Sequence, residues 1–231
     1  MSFRYRRLSS LQPLIYIQNS KISYKSEVKF LGIYIMENLN WRSHVKFLGS
    51  TLSKTYYMLR ALKQTVSTYI LWNIYFAQFQ SKMRYGIVLW GRSKECMKIL
   101  NIQEKVIRMM SGLKIGESCK QKFKELGILT VTSLYVLEVL CYIRKYSGNI
   151  SENSAIHGHN TRRTTDLHIQ SCRTASFQKS VINTGIKLFN HLPSELKQLH
   201  DFKKFRNKLK LLLLNKPLYT LNEYFEISLD K

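Results

Sequence analysis

Positive side chains recurring at helical spacing are the residues here whose chemistry is easiest to name. Lys46, Lys54, Arg60 and Lys63 fall along one stretch, and Lys203, Lys204, Arg206, Lys208 and Lys210 along another. Cations grouped this way neutralise phosphates and release counterions, so they fit an anionic polymer. For the second row, the solvated face of an amphipathic helix is an equal alternative. Arg162 and Arg163, beside His157 and His159, form a basic loop able to donate to phosphates; an exposed linker is its equal alternative. Tyr56, Tyr57, Trp72 and Tyr75 are able to stack on bases, yet helical spacing favours core packing for all but Tyr57. Across 231 residues, 37 Lys and Arg against 14 acids leave a formal charge of +23.

The chemistry of hydrolysis and group transfer is missing. The three aspartates, Asp166, Asp201 and Asp230, lie far apart, and no Gly-rich phosphate loop or nucleophile elbow is present. Cys96, Cys119, Cys141 and Cys172 form no C-x-x-C pair, and His157 and His159 have no third ligand nearby, which argues against zinc. Residues 1–13 carry Arg4, Arg6 and Arg7, no acid and no signal-peptide pattern, so the expectation is a basic leader on an intracellular chain with reduced thiols. The longest apolar runs are too short to span a bilayer, so no membrane partner is expected.

The elements that would position these cations follow from periodicity. Leu14–Gln18 and Lys21–Tyr24 read as strands around an Asn19-Ser20 turn, and with Val28–Ile35 they are expected to form one small antiparallel sheet. Val28–Ile35 is apolar on nearly every residue, which fits a strand buried on both faces, with Gly32 a bulge or a point of close backbone approach. On their own types, Lys29, Phe30, Leu31 and Gly32 are core strand.

From Trp41 to Val66, Val45, Leu48, Leu52, Tyr56, Leu59, Leu62 and Val66 make a helical stripe. A second helix, 69–83, is capped by Ser67 or Thr68, and a third runs from a Ser93 cap to Met110. Ser118–Leu126 is a short helix closed by Gly127, and a buried helix runs from Thr132 or Ser133 to Tyr146. The polar stretch 147–165 reads as a linker. Beyond it, Leu167–Ser180 is assigned short strands, Val181–Asn190 a helix, and Phe202–Leu214 an amphipathic helix capped by Asp201 with Phe205, Leu209 and Leu212 inward. Thr220 and Glu223 form a capping box for a last turn.

Glu27–Trp41, reading EVKFLGIYIMENLNW, resembles the segment after the catalytic palm strands in reverse transcriptases of non-LTR (LINE, jockey-like) retrotransposons. There a K-F/Y-L-G-I-x-I strand precedes a polar turn and a Trp, and belongs to the primer grip, a β-hairpin holding the primer end. The likeness continues through Tyr85-Gly86, Trp90-Gly91, Gln103–Arg108, Phe123-Lys124-Glu125-Leu126, His159-Asn160-Thr161-Arg162, Gly185 to Pro193 and Phe202-Lys203. The ordered series covers Leu14 to about Leu214. It implies that Lys29, Phe30, Leu31 and Gly32 meet primer, and that the rest is thumb and C-terminal extension. The family's Y/F-x-D-D turn, whose carboxylates hold Mg²⁺ for phosphoryl transfer, has no counterpart here.

The expected fold is therefore mainly α with a small N-terminal antiparallel β element (α+β). Its parts are a basic leader (1–13), a primer-grip-like hairpin segment (14–40), a helical thumb-like bundle (41–146), a linker (147–165) and a smaller basic C-terminal helical extension (166–231). The expected function is sequence-independent binding of RNA or RNA–DNA template–primer duplex by a chain inactive alone. No cofactor is expected in this chain, Mg²⁺ belonging to the complete polymerase, and the missing palm and fingers would be a partner if encoded elsewhere. The alternatives are a non-enzymatic basic helical protein-interaction module and a non-functional transposon relic.

Overall fold

A two-residue reversal of type I′ in an antiparallel pair needs positive φ at both central positions. This chain makes two such reversals, as a computed structural model describing residues 14–146, 148, 150–156 and 166–227 records. Gln18 and Asn19 (φ +48° and +60°) join β1 (Tyr16–Ile17) to β2 (Ser20–Lys21), one residue earlier than the expected turn. Leu31 and Gly32 (φ +46° and +79°) join β3 (Glu27–Phe30) to β4 (Ile33–Met36), with Val28 opposite Ile35.

The predicted continuous strand over Val28–Ile35 is thus corrected to a hairpin, with Gly32 in its turn rather than at a bulge. The two ladders are separate two-stranded sheets, not one sheet. Burial on both faces is also corrected: Ile33 is buried, whereas Phe30 and Leu31 are 61% and 73% exposed. The mainly α fold with a small antiparallel β element is otherwise the one observed.

Helix α1 (Arg42–Leu62) buries Val45, Leu48, Leu52 and Leu59 along the stripe expected, with His44 and Thr55 added and Tyr56 only half-buried. Ser67 caps α2 (Thr68–Ile74) by accepting from the Ile70 N–H. That helix passes through a π-helical segment (Tyr75–Gln80) into α3 (Ser81–Arg84). Tyr85 then turns extended and Gly86 takes φ +61°, which ends the run and starts α4 (Ile87–Trp90). A Cβ on Gly86 would lie 2.7 Å from Ile33 Cδ1, so this glycine also seats the β3–β4 hairpin.

Helix α5 spans Cys96–Ser111 and runs in the same direction as α1: Arg42 pairs with Glu95, Gly49 lies against Ile99 and Ile102, and Lys63 Nζ donates to the Met109 carbonyl. Ser93 does not cap it by its side chain, since only the Ser93 carbonyl accepts, from Cys96 N–H. Helix α6 (Lys120–Glu125) buries Phe123 and stops at Gly127 (φ +64°), as the sequence predicts.

Helix α7 (Val131–Tyr146) begins before the expected Thr132 or Ser133, because Thr130 Oγ1 accepts from the Ser133 N–H. The Gln103 side chain closes the same end. It accepts from Val131 N–H (2.8 Å) and donates to the Leu129 carbonyl and Tyr75 hydroxyl. Beyond residue 147 come α8 (Asn153–Ile156), α9 (Ala175–Gln178), α10 (Val181–Asn190), α11 (Ser194–Lys197), α12 (Phe202–Asn215) and α13 (Asn222–Glu226). The strands expected within Leu167–Ser180 are replaced by one bridge, Glu152 to Leu167, and by α9. Asp201 caps α12 as predicted, but Leu213, not Leu212, joins Phe205 and Leu209 in the core.

One core runs from Val45 to Ile227 around α7, on which α3, α4, α5, α10 and α12 all pack. Two glycines admit that crowding. A Cβ on Gly91 would meet Tyr135 Cδ2 at 2.5 Å, and one on Gly185 would meet Ile143 Cγ1 at 2.4 Å. Gly185→Ala is therefore expected to destabilise the fold by about 1–3 kcal/mol through overpacking, outweighing the gain in helix propensity. Thermal or denaturant unfolding checks this, and an unchanged or raised midpoint contradicts it.

Candidate nucleic-acid interface

With about 100° between successive residues, the buried stripe of α1 leaves Lys46, Ser50, Lys54, Tyr57 and Ala61 facing directly outward, with Arg60 on one flank and Phe47 and Met58 on the other. All of these are exposed. From Lys46 to Arg60 the row is about 21 Å long at 1.5 Å per residue. Arg42–Leu62 contains no Asp or Glu. Lys63 is the exception among the four expected cations, its ammonium being held by the Met109 carbonyl on α5.

The hairpin brings Lys29 to the same end of α1. Lys29 Nζ lies 5.6 Å from the Tyr34 ring centroid and 5.4 Å from that of Phe47, and the two rings are 5.1 Å apart. A cation over paired rings keeps its charge at the surface while holding hairpin to helix. Sequence reasoning missed this contact; the signal was Phe47, an aromatic one position off the buried stripe. At the hairpin tip, Tyr85 Oη donates to the Leu31 carbonyl (2.6 Å), and Gly32 faces the Tyr85 ring. That bond holds Leu31 left-handed, a conformation costing about 1–2 kcal/mol in a residue with a Cβ. Phe30 and Leu31 are exposed at this tip, Phe30 on the strand face opposite Lys29.

Helix α12 carries the second row. Lys203, Lys204, Lys208 and Lys210 are exposed, and Phe202–Asn215 contains no acid. The carboxyl of Asp201 accepts the Lys204 and Lys203 N–H groups, which lowers its pKa, and so it caps the helix. Arg206 leaves the row to share Glu138 of α7 with Arg84 (3.4 and 2.8 Å). Because α12 packs on α7 and α6 and α1 on α5 and β4, the two rows stand on different helices. Arg162, Arg163, His157 and His159 lie outside the described residues, as do the 1–13 leader and Asp230. Tyr75 is fully buried, and Trp72 donates to the Leu126 carbonyl, so both are packing residues.

Among the described residues no group of three His, Cys, Asp or Glu side chains could hold a metal ion. Asp166 is bound to Lys197 at 2.8 Å, and Asp201 is spent on its helix. No helix among those residues is long and apolar enough to cross a membrane.

Fold and surface together define a mainly helical, strongly basic protein with acid-free cationic helices and no acidic metal cradle among its described residues. A stretch of 87 residues is 36% identical to the retrovirus-related Pol polyprotein from type-1 retrotransposable element R1 of Bradysia coprophila, covering 35% of this chain. The match takes in 8% of the length of that polyprotein. This supports a retrotransposon-related origin. No protein-family model and no solved structure matches the chain.

The base of the interface contains a buried imidazole. His44 on α1 is 4% exposed, its ring lies 6.0 Å from that of Trp90, and neither nitrogen has a hydrogen-bonding partner in the protein. Burial pushes its pKa below the ordinary 6.5. The unfolded chain therefore takes up a proton that the folded chain refuses, and stability falls as pH drops below about 6.5. Unfolding midpoints between neutral and mildly acidic pH should fall more steeply for the wild type than for His44→Phe; parallel profiles would refute this.

Proposed function

We propose that this chain is a thumb-side piece of a non-LTR retrotransposon reverse transcriptase that binds template–primer duplex without sequence preference and does not polymerise by itself. The observation carrying the reading is that two amphipathic helices, α1 and α12, expose Lys46, Lys54, Arg60, Lys203, Lys204 and Lys208 and contain no acid at all. A surface helix selected for solubility alone intersperses both signs; a row of one sign follows a polyanion. Arg162 and Arg163 add to this charge. Lys29, Phe30, Leu31 and Gly32, at an exposed hairpin tip, take the primer-grip role. The likeness to R1 Pol sequence supports the same reading. Palm and fingers, with their metal-binding carboxylates, are then the protein partner.

Fluorescence anisotropy with a labelled RNA–DNA duplex tests the binding. Log K should fall linearly with log salt, and Lys54→Ala or Lys204→Ala should each lower the slope by about one. A titration flat in salt overturns the proposal. Primer extension with Mg²⁺ or Mn²⁺ is expected to give no product, and an extended primer would show that the missing carboxylates are not needed. A protein-interaction module is the second reading, favoured by the exposed Leu14, Ile15, Tyr16 and Ile17 of the first hairpin. It requires that duplex not be retained at all.

A further inference from the structure

Among the aromatic side chains of α1, Tyr57 is set apart by its surroundings. It is 64% exposed, the highest value among the large hydrophobic and aromatic residues of this helix. It falls on the outward line of the cationic row, three residues after Lys54 and three before Arg60, so both cations lie on neighbouring turns of the same face. Tyr56, half-buried against the core, sets its ring 5.3 Å from that of Tyr57 at 60° and supports it from below. The result is a braced aromatic plate between two positive charges, open to solvent.

Bases within a duplex are already stacked on one another and offer a side chain only their edges. An exposed ring between phosphate-binding cations matches an unpaired base instead: its face takes the base and the flanking charges take the phosphates on either side. We propose that Tyr57 stacks an unpaired nucleobase of a single-stranded extension whose duplex lies along the cationic face of α1. This rests on the nucleic-acid reading above and adds to it a strand class and a residue.

Full-length wild type, Tyr57→Ala and Tyr57→Phe are compared on two labelled probes, a blunt RNA–DNA duplex and the same duplex with a single-stranded oligoadenylate extension. Circular dichroism of each variant verifies the fold. Wild type is expected to prefer the extended probe. Tyr57→Ala should weaken binding to it about 5- to 150-fold, the range seen when a stacking aromatic is removed. Its salt slope should stay at the wild-type value, because no charge is lost, and any loss of affinity for the blunt duplex should be much smaller than the loss for the extended probe. Tyr57→Phe keeps the ring and should keep the preference. The proposal is overturned if wild type binds both probes alike, if Tyr57→Ala matches wild type on the extended probe, or if Tyr57→Phe fails as Tyr57→Ala does. Wild type retaining neither probe would overturn the cationic-face reading itself, an outcome distinct from normal blunt-duplex binding with no preference.

Discussion

Helix α7 must be surrounded, and most of the architecture follows from that. Between Val131 and Cys141 only Glu138 has any appreciable exposure, so neighbours have to cover the helix on all sides. Apolar burial at about 25 cal/mol per Å² supplies the driving force, but close approach needs room for the backbones. Gly91 provides it beside Tyr135, and Gly185 beside Val139 and Ile143. Helix α10 can then lie against α7, although residues 147–180 separate the two in sequence.

Polar side chains fix the register of this packing. Gln103, fully buried, satisfies one backbone donor and one backbone acceptor at the start of α7 and holds the Tyr75 hydroxyl as well. Ser133 Oγ accepts from the Leu218 N–H, while Thr130 and Thr132 donate to the Leu218 and Tyr219 carbonyls. The C-terminal segment is thereby tied to the helix start. A buried network with its members paired specifies one arrangement, whereas an unpaired member would cost the desolvation of that group. Glu138, the one charge on this part of α7, is held between Arg84 and Arg206 and links α3 to α12.

With the interior so occupied, the cations of α1 and α12 stand on the outer faces of those helices. Cations there repel one another, and the acids are largely engaged elsewhere, as in Asp166–Lys197 and Arg108–Glu104. Such a surface gains most from an external polyanion, since neutralisation relieves the repulsion and frees counterions. The β3–β4 hairpin completes it, being seated by Ile33 on Gly86 and clasped to α1 by Lys29 over Tyr34 and Phe47.

Local pattern was enough to reveal the longer helices α1, α5, α7, α10 and α12 but not the four-residue α8, α9 and α11, because 3.6-residue periodicity and caps such as Ser67, Asp201 and Gly127 act within a few residues of themselves. The cationic faces of α1 and α12 were legible for the same reason: a buried stripe dictates its opposite face. What the sequence left open depended on partners distant in the chain. Whether Val28–Ile35 ran straight or folded back turned on a strained Leu31, held by Tyr85 from across the fold. Whether Lys63 and Arg206 stayed in their rows depended on Met109 and Glu138 being brought beside them. Periodicity assigns a side chain to a face, but only tertiary packing supplies the carbonyl, carboxylate or ring that face meets.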